Sequence, residues 1–223
     1  TLNGVAGRVG RIAQKSLVHT STSEVYGTAQ QVPINETHPL QGQSPYSASK
    51  IGADKIVEAF HLSYEVPTVT IRPFNTFGPR QSARAIVPTI INQCLSGDVV
   101  RLGHCDPTRD LTFVTDTVDG FLLIAATENA VGKTINLGSG REISIKKLVE
   151  LIAESMEKKV VIQNEDERKR PTGSEVERLW ADNAVAQKIA GWKPKIRLED
   201  GLKKTILWLR ENPPIDSKNT YQI

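Results

Sequence analysis

The sequence predicts an α/β fold built on a parallel sheet. Short β-branched runs alternate with longer helix-like stretches along the chain, and such alternation sets helices between parallel strands. Several of those stretches carry start and stop signals: Ser44-Pro45 and Ser144 as caps, Gly97-Asp98 as a stop. The length, 223 residues with 39% hydrophobic and 24% charged, suits one large domain or two small ones.

Residues 1–14 read as a helix weakened by Gly4, Gly7 and Gly10. Leu17–Thr22 is a β-favouring run, and residues 28–43, rich in Pro, Gln and Gly, form a loop. A helix starts at Ser44-Pro45 and runs to about His61, an assignment that rests on the caps as much as on periodicity. Val66–Ile71 is a buried strand, broken by Asn75-Thr76-Phe77-Gly78-Pro79. Ile86–Ser96 is a helix. Val99–Leu102 and Leu111–Val114 are short strands, and Thr115–Ala126 is a helix. Lys133–Leu137 is a strand ending in Gly138-Ser139-Gly140. Ser144 caps a helix whose Ile145, Leu148, Val149 and Ile152 keep helical spacing. Val160–Ile162 is a strand, and 163–175 a polar loop. Asp182–Ile189 and Leu198–Glu211 are the last helices, joined through Gly191-Trp192-Lys193-Pro194. There is no internal repeat.

Composition narrows the function. The net charge of +3 is too small to mark a nucleic-acid footprint. No apolar run is long enough to cross a bilayer, and no secretory leader opens the sequence. Cys94 and Cys105 have neither zinc spacing nor a disulfide framework. The expectation is a reduced, cytoplasmic protein. Thr1, not Met, comes first, so the chain reads as a fragment.

Gly4–Gly10 reads GVAGRVG and matches the glycine spacing of a dinucleotide turn. Such a turn needs a strand before it and a helix N-terminus facing the pyrophosphate. Only three residues precede Gly4, and a strand follows at Leu17. The match therefore reads as a glycine-tolerant helix ahead of a strand.

The chemistry concentrates in TSTSEVYG (20–27) and SPYSASK (44–50). Tyr46 and Lys50, four apart on a helix, share a face. A phenol has a pKa of about 10 and is a poor base at neutral pH; a nearby ammonium stabilises its phenolate. Such a pair can deprotonate a sugar hydroxyl while a nicotinamide takes the hydride. By itself Tyr-x-x-x-Lys is a weak motif. Its weight comes from the strand-end cluster before it, because strand ends face the ligand crevice in open α/β sheets. Thr22 can bond the reacting hydroxyl and Glu24 can act as a second base; the competing reading is a polar strand terminus capping a helix.

With IRPFNTFGPRQ (71–81), RDLTFVTD (109–116), INLGSG (135–140) and GWKP (191–194), these stretches resemble the nucleotide-sugar epimerase/dehydratase family, extended short-chain dehydrogenase/reductases that hold NAD. The resemblance covers nearly the whole chain. It implies a Rossmann-like, doubly wound parallel sheet, incomplete at the N-terminus, with a smaller C-terminal α/β substrate domain. Residues 1–79, with 110–138 returning to them, would form the NAD-binding part. Residues 80–109 and 139–223 would bind the nucleotide sugar. The cofactor glycines would lie upstream, about 100 residues before Thr1 by analogy; an internal deletion joining a true fingerprint to the strand is the other explanation.

The resemblance also implies roles. Tyr46 would be the base at the C4 hydroxyl of a nucleotide-linked hexose. Lys50 would hold the nicotinamide ribose, Thr22 would orient the C4 oxygen, and Pro73 would sit by the nicotinamide. Asn75 would meet the sugar or diphosphate. Arg109 and Arg178 would grip the diphosphate, since guanidinium suits bidentate phosphate contact, with Arg80 and Arg84 as weaker candidates; surface salt bridges are the competing reading of the arginines. Thr22-Ser23-Glu24 resembles the Thr-Asp-Glu of hexose 4,6-dehydratases, except that Ser23 replaces the acidic residue, which puts direct acid catalysis there in doubt. Thr-Ser-Glu also resembles UDP-glucuronate decarboxylases. SPYSASKIGAD and RPFNTFGPRQSARAIVPTII are closer to N-acetylglucosamine-nucleotide dehydratases of legionaminate-type pathways. In that reading Glu24 removes the C5 proton, and Ser23 or a water relays one. A 4-epimerase and a non-catalytic, truncated nucleotide-sugar-binding remnant are the alternatives. The implied partners are a nucleotide-diphosphate sugar and, in the intact form, a second copy in a homodimer. His19, His38, His61 and His104 have no metal spacing. Trp180, Trp192 and Trp208 suit packing, and Glu165–Arg170 a solvated loop.

Overall fold

A computed structural model describes residues 16–168 and 171–213. The expected helix over 1–14 and the GVAGRVG stretch lie outside them. Three parallel strands organise one half: β1 (Leu17–Thr20), β2 (Thr68–Pro73) and β7 (Thr134–Leu137), in the order β1-β2-β7. Leu17 pairs with Thr68 and Ile71 with Ile135. Helix α1 (Pro45–Tyr64) links β1 to β2. It starts where Ser44 and Ser47 exchange backbone and side-chain hydrogen bonds at 3.0 and 3.1 Å, with Pro45 at the first helical position.

All but the last residue of β2 is buried, which calls for cover on both faces. Val69 and Ile71 point one way and pack with Ile124, Ile135, Leu137 and Trp192 beneath α3 (Val114–Ala125) and α5 (Ala184–Ala190). Thr70 and Arg72 point the other way, and Arg72 reaches α1. Trp192 seals the first cluster: its indole N–H donates to the Asp116 carbonyl at 2.9 Å. The Asp116 carboxylate then accepts the N–H groups of Lys195 and Ile196 at 3.0 and 2.8 Å.

The other half packs α2 (Ile86–Ser96), α4 (Ile145–Ser155) and α6 (Leu198–Glu211) around Phe77, Ile90, Phe113, Leu148, Ile152, Leu202 and Ile206. Its strands come in pairs: β3 (Asn75–Phe77) with β6 (Leu111–Phe113) and β4 (Val99–Leu102) with β9 (Val161–Asn164), both parallel, and β5 (Thr108–Arg109) with β8 (Ile143–Ser144), antiparallel.

Several expectations need correction. Asn75–Phe77 was expected to be a break; it is a strand, because pairing with Leu111–Phe113 outweighs the Gly-Pro that follows. The first strand stops at Thr20, not Thr22, since Thr22 turns to cap a 3-10 turn over Ser23–Tyr26. The helix expected over Thr115–Ala126 starts one residue sooner, and the one expected from Asp182 starts at Ala184. The two-residue strands β5 and β8 carry no periodic signal and fall outside the parallel expectation. Cys94 and Cys105 are free thiols. Among the described residues no helix is long and apolar enough to cross a membrane.

Candidate active site at the strand ends

The carboxyl end of β1 meets the first turns of α1. The Lys50 Nζ donates to the Thr20 carbonyl at 3.0 Å, which anchors the ammonium where the strand ends. Tyr46, one turn earlier on α1, is 51% exposed. The exposed phenol and the anchored ammonium lie one helical turn apart, an arrangement of base and cation suited to a bound hydroxyl.

Thr22 Oγ1 accepts the Glu24 N–H at 3.2 Å, opening the 3-10 turn. Ser23 is buried and Glu24 half-buried. Tyr26 closes the turn from inside. Its hydroxyl donates to Asn136 Oδ1 at 2.8 Å and accepts from Arg72 Nη1 at 2.9 Å. Burial pushes the Tyr26 phenol above its ordinary range despite Arg72, so Tyr26 stays protonated and serves as a structural donor.

Pro73 ends β2 and Asn75 opens β3. Asn75 Oδ1 is buried and has no partner among the described residues; nor has Ser21 Oγ, just past β1. Unpartnered buried polar atoms are costly, and here two lie at strand ends, where open α/β sheets take ligands.

Arg109 and Arg178 come together on a small β-structure. Arg109 lies in β5, whose Thr108 pairs with Ser144 of β8 on one side and bridges to Arg178 on the other. Both guanidinium groups hold carboxylates. Arg109 Nη2 meets Glu175 Oε1 at 3.1 Å. Arg178 grips Glu142 with two nitrogens, Nε to Oε2 at 2.8 Å and Nη2 to Oε1. Arg178 also lies 5.9 Å from the centre of the Trp180 ring. Arg80, with a positive φ of 67°, and Arg84 lie on the exposed segment ahead of α2.

Residues 173–178 dock beside the 3-10 turn. Gln43 Nε2, three residues before Tyr46, donates to the Glu175 carbonyl at 3.2 Å, and the Ala29 N–H donates to the Arg178 carbonyl at 3.3 Å. The arginine segment is thereby tied to the loop that leads into α1. Two grooves, of about 330 and 640 Å³, open elsewhere; Thr22, Glu24, Tyr46 and Lys50 line neither.

Sequence reasoning missed Asp54, Arg72, His19, Glu142 and Glu175. Asp54 extends the four-residue spacing of Tyr46 and Lys50, a signal that was there to read. The two glutamates gave none, since their partners are distant in sequence.

A profile described as GDP-mannose 4,6 dehydratase matches residues 2–205. The chain belongs to the GDP-mannose 4,6 dehydratase family. Within this family's wider set of relatives, a UDP-glucose 4-epimerase of Mycolicibacterium smegmatis is 31% identical over 201 residues, spanning 88% of this chain and 63% of the relative. A dTDP-D-glucose 4,6-dehydratase of Homo sapiens is 30% identical over 214 residues, spanning 89% and 57%. The dTDP-glucose 4,6-dehydratase DesIV of Streptomyces venezuelae, solved with NAD bound, superposes with a TM-score of 0.78 at 29% identity, covering 87% of this chain and 60% of DesIV. The chain thus spans about three fifths of the relatives' length, and its α/β fold with parallel sheets is that of Rossmann-like dehydrogenase/reductase enzymes. The relatives include both dTDP-glucose 4,6-dehydratases and UDP-glucose 4-epimerases, so the chain lies in the nucleotide-sugar dehydratase/epimerase superfamily.

Proposed function

We propose that this chain carries the catalytic and sugar-binding part of an NAD-dependent nucleotide-sugar 4,6-dehydratase acting on UDP- or GDP-N-acetylglucosamine. One observation carries the reading: Tyr46 and Lys50 are one turn apart on α1, and Lys50 is fastened to the Thr20 carbonyl, two residues before the Thr22-Ser23-Glu24 turn. The buried, unpartnered Ser21 Oγ and Asn75 Oδ1 suit the nicotinamide half of the cofactor. Lys50 would hold its ribose and Pro73 would lie against its ring. NAD, when bound, supplies a hydride acceptor that later gives the hydride back.

The chain's own residues do the proton work. Tyr46 Oη takes the proton of the sugar C4 hydroxyl while Thr22 Oγ1 hydrogen-bonds that oxygen. The resulting C4 ketone acidifies C5–H, and the Glu24 carboxylate removes that proton. Ser23, or a water beside it, passes a proton to the departing C6 hydroxyl, which leaves as water. The proton Tyr46 took from the C4 hydroxyl balances the one C5 gains, and with the hydride returned to C6 the product is a 4-keto-6-deoxy sugar with no net redox change. Arg109, Arg178 and Asn75 hold the diphosphate and sugar, with Arg84 as an outer contact.

Incubating the enzyme with NAD and each N-acetylglucosamine nucleotide, followed by NMR of the product, tests this. A 4-keto-6-deoxy sugar is expected. A C4 epimer overturns it in favour of a 4-epimerase, a second reading supported by the absence of a carboxyl group at position 23 and by the epimerases among the relatives. A pentose from UDP-glucuronate would indicate a decarboxylase. Calorimetry of the 223-residue chain with NAD separates an active piece from a non-catalytic remnant: stoichiometric binding argues against the remnant.

Three further readings belong to the same proposal. Residues 1–79 with 110–138 form the cofactor part, and 80–109 with 139–223 the sugar part. The intact enzyme works in the cytoplasm. It pairs as a homodimer through α1, whose Ile56, Phe60 and Tyr64 form an exposed apolar row at four-residue spacing.

A further inference from the structure

Arg109 and Arg178, the residues assigned above to the diphosphate, already hold two carboxylates. The two ion pairs differ. Arg109 and Glu175 are sealed, with side chains 14% and 11% exposed, whereas Arg178 and Glu142 are open, at 43% and 22%. A carboxylate and a phosphate present the same paired oxygens to a guanidinium fork, so each glutamate occupies the place a phosphate would take. Among the described residues the charges of these two pairs cancel, so a dianionic diphosphate arriving at either arginine must displace a carboxylate.

We infer that Glu142 is an exchangeable internal competitor for the diphosphate at Arg178 and sets the affinity for nucleotide sugars, while Glu175 holds Arg109 in place as a fixed support. The inference rests on the diphosphate reading of the two arginines. Three features support it. Glu142 has a second anchor, Thr108 Oγ1 at 2.8 Å, so it keeps a hydrogen bond when Arg178 turns away. The Arg178–Glu142 pair faces solvent, where ion pairs are worth little and exchange readily. Arg178 holds the Glu142 carboxyl below the usual glutamate range, so the competitor stays charged at neutral pH. Glu175 lacks this freedom: its backbone carbonyl is bound by Gln43 and lies 3.4 Å from Thr28 Oγ1.

The test is calorimetric titration of the 223-residue chain with UDP, and with uridine as the phosphate-free control, at low and high salt. Glu142→Gln keeps a hydrogen-bond acceptor for Thr108 and Arg178 but removes the charge; Glu142→Ala removes both, and circular dichroism checks each fold. Both variants are expected to bind UDP about tenfold more tightly than the parent, a difference of about 1.4 kcal/mol. The gain should shrink as salt rises, and uridine should show no change. Arg178→Gln should lose the UDP-specific part. If the parent binds UDP and both Glu142 variants bind equally or more weakly, Glu142 is a support and the inference fails while the diphosphate reading stands. If neither the parent nor the variants bind UDP, the diphosphate reading fails and the inference with it.

Discussion

Arg72 turns Nε and Nη2 onto the same oxygen of Asp54, at 3.0 and 2.8 Å, in a pair almost wholly sealed from solvent. The other oxygen of Asp54 meets His19 Nε2 at 2.9 Å, and Arg72 Nη1 continues to Tyr26. The network joins β1, β2, α1 and the 3-10 turn. Removing one partner strands a buried charge, at a cost of about 3–5 kcal/mol. Asp54→Asn should therefore lower stability in urea by roughly that amount. The double change Asp54→Leu with Arg72→Met should recover most of the loss, since a well-packed apolar pair can match a buried ionic one.

Tyr46→Phe should lower kcat about 10²–10⁴-fold in the active enzyme, the range for loss of a general base, with KM for the nucleotide sugar little changed. Lys50→Met should cut kcat and raise the KM for NAD, since Lys50 would hold the nicotinamide ribose. An unchanged KM for NAD would mean Lys50 only holds the helix to Thr20. Steady-state kinetics with each substrate varied distinguishes these.

Glu36 accepts the Asn136 N–H at 2.9 Å, and burial raises its carboxyl above the ordinary range. The folded protein therefore holds this proton more tightly than the unfolded chain. The associated stability is present below the unfolded pKa of about 4.3 and is lost as pH rises through the raised folded one. Glu36→Gln keeps an acceptor for Asn136 and has no charge to bury. It should raise the melting temperature at pH 7 by roughly 1–3 °C and leave it unchanged near pH 4, as scanning calorimetry at both values would show.

Gly201 sits where α6 crosses two rings. A Cβ there would lie 2.7 Å from Phe77 Cζ and 2.8 Å from Phe113 Cδ2, and the rings already meet edge to face with centres 5.6 Å apart. Alanine would gain about 1 kcal/mol of helix propensity against about 1–3 kcal/mol of overpacking. Gly201→Ala should therefore be net destabilising, and a higher urea midpoint would contradict the packing.

Charge on the outer row of α1 tests the homodimer. Phe60→Glu should shift the sedimentation profile toward monomer and leave the circular dichroism spectrum unchanged, since Phe60 is half exposed. The same exposed row, with Leu62 beside it, predicts concentration-dependent association of the parent chain.

The elements most legible in the sequence were those whose signals are local. Ile86–Ser96 and Leu198–Glu211 have the bounds that periodicity and caps give, and Ser44-Pro45 marks the start of α1. Val66–Ile71 was readable as a buried strand, although it lies two residues further on. What escaped is defined by partners far along the chain. Asn75–Phe77 becomes a strand only beside Leu111–Phe113, and Thr108–Arg109 only beside Ile143–Ser144. The same holds at the site. Tyr46 and Lys50 share a helix and announce themselves by spacing, while the carboxylates of Glu142 and Glu175 reach arginines 36 and 66 positions away. Such pairings are products of the fold and leave no pattern in either segment.

The link between Trp192 and Asp116 spans 76 positions. Since the Asp116 carboxylate also ties down the backbone at 195 and 196, one residue fastens FVTD to the 192–196 stretch twice, through its carbonyl and through its carboxylate. Asp116→Ala removes the carboxylate bonds and Trp192→Phe the carbonyl bond, but both loosen the same 192–196 stretch, so their combined harm should fall short of their sum.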